Sequence, residues 1–125
     1  MVKAVLVSID LERGAEVLQL LDAAQLQIKV AVWLFSPDHE NWFLVLASRQ
    51  LDGSRQAYGV VNEALREAGY PIEKKPSMMI LPMSDPFIRD LRKRFSKAEN
   101  VEGMRLGLQT IGNWFVEEGY VYRIS

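Results

Sequence analysis

Apolar and polar positions change their period along this chain in an order that predicts strand, helix, strand, strand, helix, strand. Positions 3–9 form a short apolar run. Ala4, Val5, Leu6, Val7 and Ile9 supply it, with the β-branched bias of a strand. Asp10 then stands where a helix N-cap is expected. Over positions 11–24 Leu11, Ala15, Leu18 and Leu21 recur at helical spacing, with Glu12, Glu16 and Gln19 on the other side.

Positions 27–36 and 41–49 read as two strands of a hairpin, because only Pro37-Asp38-His39-Glu40, within the polar cluster 36–41, separates them. A second helix is expected over 54–69, with Ser54 as its cap, Ala57, Tyr58, Val61, Leu65 and Ala68 as its apolar stripe, and Gly69 as its stop. Positions 77–83 are a further strand that Pro82 leads out of the ladder. This order is the split βαβ arrangement of ferredoxin-like folds. Beyond it, Ser84-Asp85-Pro86 opens a helix over 86–97, and Gly112-Asn113 marks a terminal β-hairpin. Glu117-Glu118-Gly119 reads equally as a second turn or as a bulge. The expected class is α+β: a ferredoxin-like βαββαβ core with an appended helix and a C-terminal β-hairpin, in one domain over 1–125.

The hairpin has one unusual property. A sheet with one wet face alternates apolar with polar residues. Here Ile28, Val30, Val32 and Leu34 alternate with Lys29, Ala31, Trp33 and Phe35, so both faces are apolar, with Lys29 and Arg49 marking where the cover thins. The second face, assigned as Ala31, Trp33, Phe35, Phe43 and Val45, therefore needs a cover. Either the C-terminal third of the chain or a second copy of the protein supplies it.

Composition narrows the chemistry. The hydrophobic fraction of 49% and the charged fraction of 25% are ordinary for a globular domain. A formal charge of −1 supplies no field that gathers polyanions, which argues against nucleic acid as the partner. The absence of cysteine excludes disulfides, thiolate metal sites and a cysteine nucleophile. His39, the single histidine, excludes any site that needs two imidazoles from one chain. No apolar run approaches a membrane span or a signal peptide, so a cytoplasmic protein without a membrane partner is expected. No glycine-rich phosphate fingerprint occurs, and neither a cofactor nor a metal is expected.

The candidate residues fall into three sets. Trp33, Phe35, Phe43, Trp114, Tyr120 and Tyr122 are aromatic residues of strands, suited to an interface. Arg89, Arg92, Lys93, Arg94 and Lys97 form a basic helix, with 89, 93 and 97 in one i, i+4 row that suits phosphates. The same cations also complement a helix C-terminus, and Asp90 is placed to pair with Arg94. Asp38, His39, Asp52 and Arg55 lie in two polar loops that could flank a pocket. Pro37-Asp38 with Glu73-Lys74-Lys75 spells a nuclease-like string, but in a turn and a linker rather than on neighbouring strands. No catalytic residue is assigned.

The reading favoured by these features is a non-enzymatic interaction or accessory module that self-associates through apolar sheet surface, as a homodimer or with a small protein partner. The alternative is a small ligand-binding or hydrolytic domain with a pocket near positions 36–41 and 52–55. A third is weak nucleic-acid binding by the helix over 86–97.

Overall fold

The β1–β2 hairpin forms where local alternation and turn chemistry agree. β1 spans Ile28–Ser36 and β2 spans Asn41–Ser48, antiparallel, with Trp33 opposite Leu44 and Leu34 opposite Phe43. The computed structural model of the protein describes residues 5–125. Among these, three α-helices and five strands form a mixed α+β structure, with the sheet in the order β3-β2-β1-β5-β4.

The register corrects the expected faces of the hairpin. Cross-strand partners share a face, so Trp33 and Phe35 lie with Leu44 and Trp42, not with Phe43 and Val45. A register shift between Ile28 and Val30 adds a second change. It puts Ile28 in the same cluster as Ala31 and Trp33, while Val30, Val32, Leu34 and Val45 line the opposite face.

α1 spans Ser8–Ala23, so Ser8 and Ile9 are helical and 5–7 form no strand. The rest of the strand expected over 3–9 lies outside the described residues. Asp10 does cap the helix, but from its first turn: its carboxylate accepts the Val7 N–H at 3.0 Å. The same helix ends in a Schellman turn, with Leu26 N–H on the Leu21 carbonyl and Gln25 N–H on that of Asp22.

α2 spans Arg55–Glu67 and starts where the Ser54 hydroxyl accepts the Ala57 N–H. Gly69, at φ +75°, closes it as expected. α2 returns the chain to β3, Met78–Ile80, which runs parallel to β2 and pairs with it directly. In the split arrangement another strand lies between the two parallel strands; here that βαβ unit is unsplit. β1 meets β5 along its other edge.

α3 spans Pro86–Arg94, with Pro86 in its first turn and the Asp85 carboxylate accepting the Phe87 N–H at 2.9 Å. β4 (Arg105–Ile111) and β5 (Trp114–Ile124) form the terminal hairpin around Gly112-Asn113. Glu117-Glu118-Gly119 is neither a turn nor a bulge: it runs within β5, in unbroken register with β4. A Cβ on Gly119 would stand 3.0 Å from the Trp33 carbonyl oxygen, so glycine permits the close approach of β1 and β5.

Both faces of the β1–β2 hairpin are covered from within the chain. α1 and α2 pack on Ala31, Trp33, Phe35, Leu44 and Leu46 through Val17, Leu21, Val61 and Leu65. α3 packs on Val30, Val32, Leu34 and Val45 through Phe87, Ile88 and Leu91. Leu106 and Ile111 lie five residues apart in β4, as do Val116 and Val121 in β5, and all four enter this second cluster. Strict alternation forbids that pairing of positions; the strong twist of a β-ribbon allows it.

Candidate functional site

The cover supplied by the helices decides which surface is open. Trp33 is 3% exposed and Phe35 5%, so neither needs a partner molecule to shield it. Trp33 donates its indole N–H to the Tyr122 hydroxyl at 2.8 Å, and that hydroxyl donates to the Leu11 carbonyl at 2.6 Å. Burial, the dominant cause, pushes the Tyr122 phenol up to about 12. A Cβ on Gly14 would collide with both Tyr122 and Trp33, so glycine lets α1 sit on this relay. Tyr120 packs edge-on to Tyr122 at 5.4 Å, and the Arg105 guanidinium lies 5.3 Å from its ring centre. Phe43 lies 5.3 Å from the His39 ring, and Trp114 lies 5.6 Å from Phe87. All six interface candidates thus have intrachain roles.

The exposed apolar surface lies instead on the outer hairpin. Leu108 is 77% exposed and Phe115 54%. Thr110 is the direct partner of Phe115, which makes Leu108 and Phe115 diagonal neighbours on one face. Among the described residues, β4 has no strand on its outer side. A two-residue turn closes on a hydrogen-bonded pair, Ile111 with Trp114, so alternation turns the backbone groups of Thr110, Leu108 and Leu106 away from β5. The Thr110 carbonyl confirms that direction, because it accepts from Arg94 of α3 at 2.8 Å.

The basic helix is partly engaged within the chain. Arg94 holds Asp90 through two bonds of 3.1 Å, and Asp90 also accepts the Gly112 N–H at 2.7 Å. Arg94 and that N–H together hold the Asp90 carboxyl below its ordinary range, the guanidinium contributing most. Arg92 donates to the Ser125 carbonyl at 2.7 Å. Lys97 lies beyond the end of α3, so the expected row of Arg89, Lys93 and Lys97 does not continue along one helix. These bonds fasten α3 to the outer hairpin.

The two polar loops do not meet. They lie at opposite ends of β2, an eight-residue strand that spans roughly 26 Å. Asp38 and His39 line a 390 Å³ cavity with Ser36, Trp114 and Phe115. Within it His39 Nδ1 and the Ser36 hydroxyl share a bond of 2.9 Å, local to the turn. Asp52 accepts the Ser54 N–H at 2.9 Å and is held below the ordinary carboxylate range by Ser54, so it organises the entry to α2. Arg55 is the exposed first residue of that helix. Asp38 and Lys74 line different cavities, so the nuclease-like string forms no common site. Among the described residues no three acidic or histidine side chains are grouped as metal ligands, and no helix is long and apolar enough to cross a membrane.

In the sequence Met104, Leu106 and Leu108 alternate as in a strand, a pattern that groups Leu108 with Leu106 on one face. The twist that separates it from Leu106 leaves no local signal. No family model, no curated protein and no solved structure matches this chain.

Proposed function

We propose that this protein is a non-enzymatic association module that pairs with a second copy of itself along the outer edge of β4. The observation that carries this reading is Leu108, 77% exposed at the centre of a seven-residue edge strand. Open strand edges are usually blunted by charge or proline. β4 has no proline, and its one charge, Arg105, stands at the end.

The strand is compatible with itself. Antiparallel pairing about Leu108 sets Leu108 against its own copy, Leu106 against Thr110, Gly107 against Gln109 and Arg105 against Ile111. No like charges meet within the two paired strands, the Thr110 carbonyl that faces Leu106 of the second copy also accepts from Arg94, and the Phe115 side chains extend the apolar contact. The product is a continuous ten-stranded sheet with a two-fold axis. A contact of this size belongs to the small, concentration-dependent class of interfaces.

Sedimentation velocity over a micromolar concentration series tests the proposal, with Leu108→Lys as the variant. This side chain is exposed, so the substitution spares the core. The wild type is expected to shift from monomer to dimer, and Leu108→Lys to remain monomeric with an unchanged melting temperature. A wild type that stays monomeric throughout, or a variant that still dimerises, overturns it.

A further inference from the structure

We propose a second site, independent of β4 pairing, that binds a phosphate group in the cleft between the start of α1, the tip of the β1–β2 hairpin and the connection over 74–77. The cleft is a 250 Å³ cavity whose lining includes Arg13, Lys74 and Lys75. Among the described residues of the lining, the one opposing charge is Asp10, whose carboxylate already accepts the Val7 N–H. The lining thus carries three cations against one carboxylate in a protein of net charge −1.

Cations from α1 and from a segment some sixty residues later thus share one cleft, where a bound anion would be attracted to all of them. The cleft also offers ordered donors. Lys75 donates to the side-chain carbonyl of Asn62, a residue of α2 outside the cleft lining, at 2.9 Å, and its ammonium carries two further N–H groups. The Ser77 hydroxyl oxygen accepts from the Asn41 amide at 3.3 Å, so its proton remains free for an anion oxygen. Trp33 and Trp42 close the cavity from below and lower the local dielectric, which strengthens charge-assisted hydrogen bonds.

The dimensions select the ligand class. Pockets for drug-sized ligands run from about 300 Å³ upward. A 250 Å³ cleft of mainly polar lining suits a compact oxyanion, with any attached organic part directed to solvent. Inorganic phosphate and a phosphate monoester share that chemistry.

The two tryptophans supply the readout. Intrinsic fluorescence of the full chain is titrated at constant ionic strength with potassium phosphate, with adenosine 5′-monophosphate and with potassium chloride. Phosphate is expected to give a saturable change that chloride does not, weakened about tenfold by Lys74→Gln and again by Arg13→Gln. Tighter binding of the nucleotide identifies a monoester as the ligand, whereas equal or weaker binding identifies the free anion; both support the site. Lys74 is exposed, and an unchanged circular dichroism spectrum verifies that its variant is folded. Identical responses to phosphate and chloride, or undiminished phosphate binding in the folded Lys74→Gln variant, overturn the assignment.

Discussion

Two strands end the sheet, and they treat their open sides differently. β3 is three residues long, with Pro76 and Pro82 close on either side. The Leu81 N–H bonds to β2, so that of Ile80 points outward, where the Tyr58 hydroxyl accepts it at 2.9 Å. β4 is seven residues long and lacks proline, and the Arg94 contact at Thr110 blunts only one end of it. Short length, proline and a borrowed acceptor are means by which proteins close an edge. Their concentration at β3 and scarcity at β4 mark a fold that closes one edge of its sheet and, among the described residues, leaves most of the other unpaired.

The largest way to break this contrast is to detach the open edge. Gly112 adopts φ +59°, and a Cβ there would meet the Pro86 backbone. Gly112→Ala is expected to cost about 3 kcal/mol, because neither obstacle is a side chain that can rotate away. Thermal unfolding measures the loss, and an unchanged melting temperature would show that the hairpin does not depend on its seat against α3.

A smaller break acts through β5, which joins β4 to the rest of the sheet. Tyr122→Phe leaves the Trp33 indole without an acceptor and the Leu11 carbonyl without a donor, at an expected cost of about 2 kcal/mol. The pH dependence has a definite sign. Burial raises the phenol from 10 to about 12, so the folded state favours the protonated form. That contribution is complete below pH 10 and declines as the pH rises through about 12. Denaturation followed across this alkaline window should show wild-type stability falling and the Phe variant running flatter. Parallel curves for the two proteins would contradict the buried relay.

The smallest change opens the closed edge. Tyr58→Phe removes the acceptor of the outward Ile80 N–H, with an expected cost of about 1 kcal/mol. Amide exchange at Ile80 is the sensitive measurement. Faster exchange in the variant sharpens the contrast between the edges, and unchanged exchange would mean that Tyr58 does not protect β3.

Much of the local structure was legible because it depends on near neighbours. The hairpin over 27–49 follows from alternation around one polar turn. Asp85-Pro86 and Gly69 announce a helix start and a helix stop through backbone chemistry that no distant contact alters. The Asp90–Arg94 pair was equally readable, being an i, i+4 contact within one helix. Strand propensity over 3–9 misled for positions 8 and 9, because capping by Asp10 and packing of α1 on the sheet outweigh a short β-branched run.

By itself, then, the amino-acid order determined an α+β chain with a two-sided apolar hairpin and a basic third helix. The tertiary structure alone decided which side of the hairpin Phe43 shares, that β2 and β3 pair directly, that Trp33 is sealed by Tyr122, and that Leu108 lies in the open. The physical reason is common to all four. Register, strand order and twist depend on contacts between segments far apart in the chain, and a shift of a single residue sends a side chain to the opposite face.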